Sequence, residues 1–439
     1  MTTPATTTTA NINVESSSFD ELRNYYDKTL NVDKSTYKSS NDEPTPIDCI
    51  CEMIDQIPHE LWTRNDLAIL DPCCGNGNFS IPILFELLKH RKDKRHIIEH
   101  VLEFNDINVS RLENVRRIFC GEKYELQITN HDFITFNNPK KHDLIVANPP
   151  YAKILENGKR ASKNHNLIKD FIERALSQLK PDGYLLFITP DNWMSYADRN
   201  QLIGIITKLQ IVHLDIHNAK KHFKKIGSSF TWYIIQNRPF YKNINISGIW
   251  KKNTYTSSVV SMQRKYIPLL YNQTVQHILS KTIDNTDIAK FNVKTSSDLH
   301  KYTKAKFISN EKNDVYKYKL IHTPSQTVYA SKPHIHQEGY KVFISTTDKY
   351  KVFIDNCGMT QSIVFILCSN EEEAKKIMRI LEHPLYVFIN NICRWGNFNN
   401  IRILQSFPIP TVEYSGNHQE IYDCFGITED EVKYIGENL

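Results

Sequence analysis

The sequence predicts an α/β fold built on a mostly parallel sheet of seven strands, followed by a smaller α+β region. Between residues 66 and 240, short and nearly continuous apolar runs alternate with stretches whose apolar residues recur at helical spacing. That alternation marks strands buried on both faces beneath crossover helices. After about residue 244 the rhythm changes to short strands with polar turns and one long helical stretch. A hydrophobic content of 40% over 439 residues is enough for two cores.

The elements follow in order. Residues 1–18, "MTTPATTTTANINVESSS", are Thr/Ser-rich and read as a disordered tail. They lack the basic start and apolar stretch of a signal peptide. "FDELRNYYDKTLN" (19–31) reads as a helix, and a polar stretch then runs to about residue 44. The strands are "LAILDPCC", "HVLEFNDI", "ELQITNHDF", "DLIVANPP", "YLLFITP", "IVHLDIH" and "SFTWYIIQ". Between them, "FSIPILFELLKH", "VSRLENVRRIF" and "NLIKDFIERALSQL" carry the helical period. We place the first domain at 19–243 and the second at 244–439. In the second, "NEEEAKKIMRILEHPLYVFINNI" is helical, with Asn370 and Glu373 suited to a cap and capping box.

Composition narrows the function classes. No run of eighteen apolar residues is present, so no membrane span is read. The nine Cys are scattered without a C-x-x-C pair, which fits a reducing, intracellular and cytoplasmic setting and argues against a zinc ribbon. A nuclear or viral replication compartment is compatible as well. No metal site is expected. The net charge of +5 is modest, so its distribution matters more than its sum.

In open α/β sheets ligands bind at the carboxyl ends of the strands, and each unusual feature of the first region falls there. The first strand runs into Asp71-Pro72-Cys73-Cys74-Gly75-Asn76-Gly77, which holds two of only 14 glycines in the chain. Glycine permits positive φ and close approach of a ligand to the backbone. The loop has no Lys-Ser/Thr pair and is not a P-loop. The second strand ends at Asp106, with Glu103 as a second acidic choice, and the third leads to Asp132 and Phe133. Gly-x-Gly, acid and acid on successive strand ends suit a nucleoside: loop, ribose, then base. A bland reading of each alone is a tight turn, a surface carboxylate and a cap.

The fourth strand ends in Asn148-Pro149-Pro150-Tyr151. The prolines have no N–H and stiffen the chain. The Asn148 side-chain oxygen and the Pro149 carbonyl can together accept both hydrogens of a planar NH₂ group, and Tyr151 can stack on the ring that bears it. Such a grip aims the nitrogen lone pair at an electrophile by positioning alone.

On these residues the chain resembles the S-adenosylmethionine-dependent DNA adenine-N6 methyltransferases of the Asn/Asp-Pro-Pro-Tyr/Phe type. The motif order is similar to the gamma class and to type II restriction-modification enzymes. The resemblance is strong over roughly residues 40–240 and weak over 245–435. It implies a Rossmann-like catalytic domain followed by an α+β DNA target-recognition domain. "NDEPTPIDCICEMI" matches the family's Thr-Pro segment, with Thr45, Pro46 and Met53. The implied S-adenosyl-L-methionine contacts are Thr45, Pro46, Met53, Asp71, Cys73, Gly75, Asn76, Gly77, Asp106, Ile107, Asp132, Phe133 and Asn148. The implied catalytic set is Asn148, Pro149, Pro150 and Tyr151. An aromatic ring facing Tyr151 across a flipped-out adenine is expected from Phe223, Phe230 or Trp232, with Phe230 preferred.

Double-stranded DNA is the expected partner. Residues 216–283 hold eleven Lys/Arg, including Lys220, Lys221, Lys224 and Lys225, and no Asp or Glu, a pattern suited to phosphates. A solvated face is the bland alternative. Lys153, Lys159, Arg160 and Lys163 follow Tyr151 in a loop expected beside the substrate. In "NNICRWGNFNN", Arg394, Asn397, Asn399 and Asn400 can read base edges, and Trp395 or Phe398 can wedge or stack. A turn with a core Trp is the alternative there. Glu431-Val432-Lys433 lies in a helical pattern and is not assigned to cleavage. RNA adenine or protein-glutamine methylation, and a catalytically degenerate DNA-binding module, are the alternative functions. The sequence sets no oligomeric state and is compatible with a monomer.

Overall fold

The computed structural model of the chain describes residues 12–33, 35, 43–90, 93–136, 138–151, 167–196, 201–223, 227, 229–260, 264–347 and 349–439. The chain divides into two units, residues 1–191 with 201–263, and residues 192–200 with 264–439.

The first unit holds a nine-stranded sheet. Its strands are β1 (Ile69–Asp71), β2 (Leu102–Asn105), β3 (Gln127–Thr129), β4 (His142–Ala147), β5 (Leu179–Pro190), β6 (Leu209–Ile216), β7 (Phe230–Pro239), β8 (Ile244–Trp250) and β9 (Asn253–Val259). Their order across the sheet is β3-β2-β1-β4-β5-β7-β6-β8-β9. The first five strands are parallel neighbours, and β7 runs antiparallel between β5 and β6. The order reverses at β1, whose neighbours are β2 and β4, so the loops after β1 and β4 open on one crevice. Strand β4 is buried along its whole length. Its polar start is compensated: Asp143 accepts from the Ala68 N–H (2.9 Å) and pairs with Lys180 (2.7 Å) and Arg64 (3.2 Å). His142 bonds Glu103 at 3.1 Å.

Three expectations are corrected. The seven expected strands are joined by a hairpin, β8–β9, which extends the sheet beyond β6. The expected boundary at 243/244 therefore moves to 263/264. The hairpin alternates buried Ile244 and Ile246 with exposed Asn245, as an edge element covered on one face does. Read as pattern, it resembles the short polar strands that follow it. Of the tail expected to be disordered over 1–18, residues 12–18 are ordered, and the rest of that expectation lies outside the described residues. Val14 is buried and donates its N–H to the Ile118 carbonyl at 2.9 Å. Ser18 caps the helix Phe19–Tyr25 in a capping box with Glu21, and the helix continues as a π turn over Tyr26–Leu30.

The second unit is α+β. One sheet has the order β10 (Ile308–Ser309), β12 (Gln326–Ala330), β11 (Tyr318–Thr323), β15 (Gly358–Met359); the other has β14 (Val352–Asp355), β13 (Lys341–Ser345), β16 (Ile363–Leu367). Asn370 caps the helix Glu371–Leu381 as expected, while Glu373 reaches back to the Ser369 N–H (2.6 Å). The long helical stretch breaks at His383-Pro384 into two helices. All nine cysteines carry free thiols. Among the described residues no helix is long and apolar enough to cross a membrane.

Candidate active site

The loop after β1 turns tightly and opens a helix, Ser80–His90. Gly75 has φ +55° and faces open space where a side chain would begin. Gly77 has φ +86°, but a Cβ there would meet the Phe119 ring at 3.2 Å and the Tyr26 hydroxyl at 3.5 Å. Gly75 is thus the glycine that leaves room for a ligand, whereas Gly77 packs against protein. Asn76 likewise turns inward: its carbonyl accepts from the Tyr26 hydroxyl (2.7 Å) and its side-chain oxygen from Asn114 (3.0 Å). Asp71 is buried and accepts from the Cys73 N–H at 3.4 Å, and among the described residues its Oδ2 has no partner. Burial, reinforced by the Asp106 charge and opposed by the Cys73 N–H, pushes its carboxyl well above the usual carboxylate range. An unpartnered buried carboxylate oxygen beside an open glycine is what a cationic nucleoside ligand would satisfy. Burial also pushes up the Cys74 thiol, so it is no nucleophile.

At the next strand end Asp106 accepts from the Gly75 N–H (2.9 Å) and the Asn108 N–H (2.8 Å). It braces the loop, and a carboxylate has acceptor positions enough to take hydroxyls as well. Ile107 beside it is 57% exposed, an apolar side chain free to cover a base. Glu103 faces elsewhere, toward Lys140 and His142. Asp132 is exposed and caps its own turn through the Ile134 N–H (3.0 Å). Phe133, expected at the adenine, is buried against Phe171 at 5.6 Å. Asn105 was missed in the sequence. Its amide donates to the Pro72 and His131 carbonyls (2.8 and 3.0 Å) and accepts from Thr129 and the His131 N–H. One side chain thereby ties together the loops after β1, β2 and β3. Its only signal was an asparagine at a buried strand end.

At the end of β4, Asn148 is half-buried, Pro149 is buried and Pro150 is exposed. The Asn148 Nδ2 donates to the Glu43 carbonyl (2.9 Å) and to Thr45 Oγ1 (3.2 Å). Its Oδ1 accepts from the Tyr151 hydroxyl at 2.6 Å. A carbonyl only accepts, so the atom facing Glu43 is the nitrogen and the atom facing Tyr151 is the oxygen. The Cys73 thiol lies 3.6 Å from the Asn148 carbonyl, joining the β1 and β4 loops. Pro46 precedes the helix Ile47–Ile54, in which Met53 is fully buried.

Tyr151 packs against Phe230 (6.1 Å between centroids), which packs on Phe223 (4.6 Å). Trp232 stacks on His213 at 4.6 Å, and Phe223, Phe230 and Trp232 are all buried in the core. Phe230, expected across the base from Tyr151, instead packs on the Tyr151 ring itself.

The basic stretch is partly neutralised. Lys221 pairs with Glu52 at 2.7 Å, Arg238 with Asp182, Arg264 with Asp284 and Lys281 with Glu431. Lys220 is half-buried. Lys224, Lys225 and residues 152–166, which include Lys153, Lys159, Arg160 and Lys163, lie outside the described residues. In the second unit Arg394 donates to the Asn397 carbonyl (3.2 Å) and Trp395 to the Ile267 carbonyl (2.9 Å). Asn399 and Asn400 are braces, donating to the Ser345 and Tyr196 carbonyls. Asn397 and Phe398 are left exposed on this loop. Glu431 caps its own helix with Thr428.

Residues 87–223 match the family described as Eco57I restriction-modification methylase. The type II methyltransferase M.VspI of Vibrio sp. (strain 343) is 28% identical over 180 residues, 39% of this chain and 42% of that protein. An uncharacterized adenine-specific methylase of Mycoplasma pneumoniae is 25% identical over 362 residues, 61% of this chain and 84% of that one. The match to M.VspI thus spans less than half of that protein. A nuclease-deletion mutant of the Type ISP restriction-modification enzyme LlaGI, solved with a DNA substrate mimic, has a similar fold. Its TM-score is 0.56 at 11% identity, over 94% of this chain and 56% of that one.

Proposed function

We propose that the chain is a site-specific DNA methyltransferase that acts on the exocyclic N6 amine of an adenine flipped out of the duplex. The observation that carries this reading is the Asn148 amide, its nitrogen held by the Glu43 carbonyl and Thr45 and its oxygen accepting the Tyr151 hydroxyl at 2.6 Å. The type II methyltransferase and adenine-specific methylase relatives support the same reading. S-adenosyl-L-methionine fits the loop by the open face at Gly75 and the unpartnered Asp71 oxygen, and when bound it supplies an electrophilic sulfonium methyl. Asp71, Gly75, Asp106 and Ile107 are the residues that would hold it.

The chain's own groups perform the rest. Asn148 Oδ1 and the Pro149 carbonyl accept the two amine hydrogens and hold the nitrogen lone pair out of the ring plane. The Tyr151 hydroxyl gives up its place on Oδ1 to the amine. The Tyr151 ring then covers one face of the base, with Phe230 and Phe223 behind it. Nothing has to remove a proton before transfer; the methylated nitrogen then loses one proton to solvent. The second unit is the candidate reader of target sequence, through Asn397 and Phe398 on its 394–400 loop. Transfer of tritium from labelled cofactor should appear in duplex DNA at adenine. Label confined to RNA or to a glutamine-containing peptide would replace this reading with the corresponding alternative.

A further inference from the structure

We infer that Thr45 is a positioning residue for methyl transfer: together with the Glu43 carbonyl it fixes which end of the Asn148 amide faces the substrate. The inference rests on the methyltransferase reading above. The two ends of an asparagine amide are nearly equal in shape and opposite in hydrogen bonding. With the oxygen outward it accepts an amine; with the nitrogen outward it meets the amine's hydrogens with its own. The Glu43 carbonyl takes one Nδ2 hydrogen at 2.9 Å and Thr45 Oγ1 takes the other at 3.2 Å. Both hydrogens are then committed, and the oxygen is the only end left for Tyr151 or for a substrate.

Thr45 is itself held in place. It is 2% exposed, and its carbonyl accepts from Asn78 Nδ2 at 2.9 Å. Asn78 also donates to Asn31 Oδ1 at 3.1 Å. Hydrogen bonds linking Asn31 to the Asn78 side chain, Asn78 to the Thr45 backbone, and the Thr45 hydroxyl to Asn148 therefore run from the N-terminal helix through the glycine loop to the end of β4. The resemblance gives the Thr45-Pro46 segment to the cofactor. The hydrogen bonds give its hydroxyl a second duty, toward the amide that grips the amine.

Thr45→Val keeps the shape and removes the acceptor, and Thr45→Ser keeps the acceptor. Single-turnover methylation at saturating cofactor and duplex should fall about tenfold or more in Thr45→Val, as expected for loss of one oriented hydrogen bond. Thr45→Ser should recover the larger part of the rate. Cofactor affinity of Thr45→Val, measured by calorimetry, separates any weakening at the cofactor from the rate, which is read at saturating cofactor. A second readout needs neither ligand. With selective ¹⁵N-asparagine labelling, the Asn148 side-chain resonance, assigned by its loss in Asn148→Ala, should move in Thr45→Val and stay near its place in Thr45→Ser. A wild-type transfer rate in Thr45→Val, a loss carried wholly by weaker cofactor binding, or an unmoved Asn148 resonance would each overturn the inference. If the wild-type chain methylates no nucleic acid, the methyltransferase reading falls, and the resonance still decides whether Thr45 holds the amide.

Discussion

Asn148 separates the chemistry of the strand end from its architecture. The prolines shape the turn, and the side-chain oxygen is the part that can act on an amine. Asn148→Ala should therefore fold and bind cofactor normally while single-turnover transfer falls by about 10²-fold, the scale of one preorganised hydrogen-bond partner. A wild-type rate would remove the amide from the mechanism. Tyr151 divides in the same way. Its hydroxyl occupies the acceptor that an amine would need under the proposed function, and its ring packs on Phe230. Tyr151→Phe should stay close to wild type. Tyr151→Ala should lose about 1–3 kcal/mol of base capture, seen as a weaker 2-aminopurine signal at the target position. Asp71 yields a prediction of another kind. Burial holds its carboxyl well above the usual range, which favours the protonated form when no ligand is bound. A cationic ligand alongside lowers that pKa and expels the proton. Calorimetry in buffers of different ionisation enthalpy should show proton release on cofactor binding. Release that persists unchanged in Asp71→Asn would assign the proton to another group.

Among the elements, the parallel strands were legible, and the hairpin was legible as short strands but not as part of this sheet. Strands such as β4 are buried on both faces, so they read as apolar runs whatever lies around them. β8 and β9 take their meaning from β6, and nothing local says which sheet they join. The site was legible where a residue type is chemically singular, as in Asn-Pro-Pro-Tyr or Gly-x-Gly. The braces Asn105, Asn78 and Tyr26 were not, because a buried asparagine or tyrosine is defined by partners distant in sequence. The turn after β6 shows the same dependence. Asp215 is fully buried, accepts from the Ala219 N–H (2.9 Å) and from Ser247 on β8 (2.8 Å), and so fixes the turn leading to Phe223. Burial raises its pKa from 3.8 to about 6, against those two hydrogen bonds. The folded state then binds more protons than the unfolded state between these values, so this group's contribution to stability falls as pH rises from about 4 to 6. Asn at 215 keeps an acceptor for Ala219 and can donate to Ser247. The advantage of Asp215→Asn over wild type in unfolding free energy, read by urea denaturation, should therefore grow through that window and level off above it, approaching roughly 3 kcal/mol. A difference independent of pH would show that the carboxylate is not the titrating group.

Over the whole molecule, a net charge of +5 says little until the pairs are counted. Of the eleven basic residues in 216–283, Lys221, Arg238, Arg264 and Lys281 already face carboxylates, so the stretch is less cationic than its sequence. Lys251 and Lys252 are different. They are the two central residues of the β8–β9 turn, exposed, with φ +49° and +72°. A two-residue turn with both φ positive favours Asn-Gly. Lysine at both positions costs on the order of 1 kcal/mol each. Folding alone does not select that pair, whereas binding to phosphates would. Lys251→Asn with Lys252→Gly should therefore act in opposite directions on two measurements. Thermal stability should rise, because the turn is relieved. Affinity for duplex DNA should fall for every sequence tested, and the slope of log K against log salt should shrink by up to about 2, near 0.9 for each phosphate no longer neutralised. Lys221→Ala, whose charge is already spent on Glu52, should change that slope less. If the double variant gains stability and keeps the wild-type salt slope, the hairpin tip is only a strained turn and the phosphates are bound elsewhere on the chain.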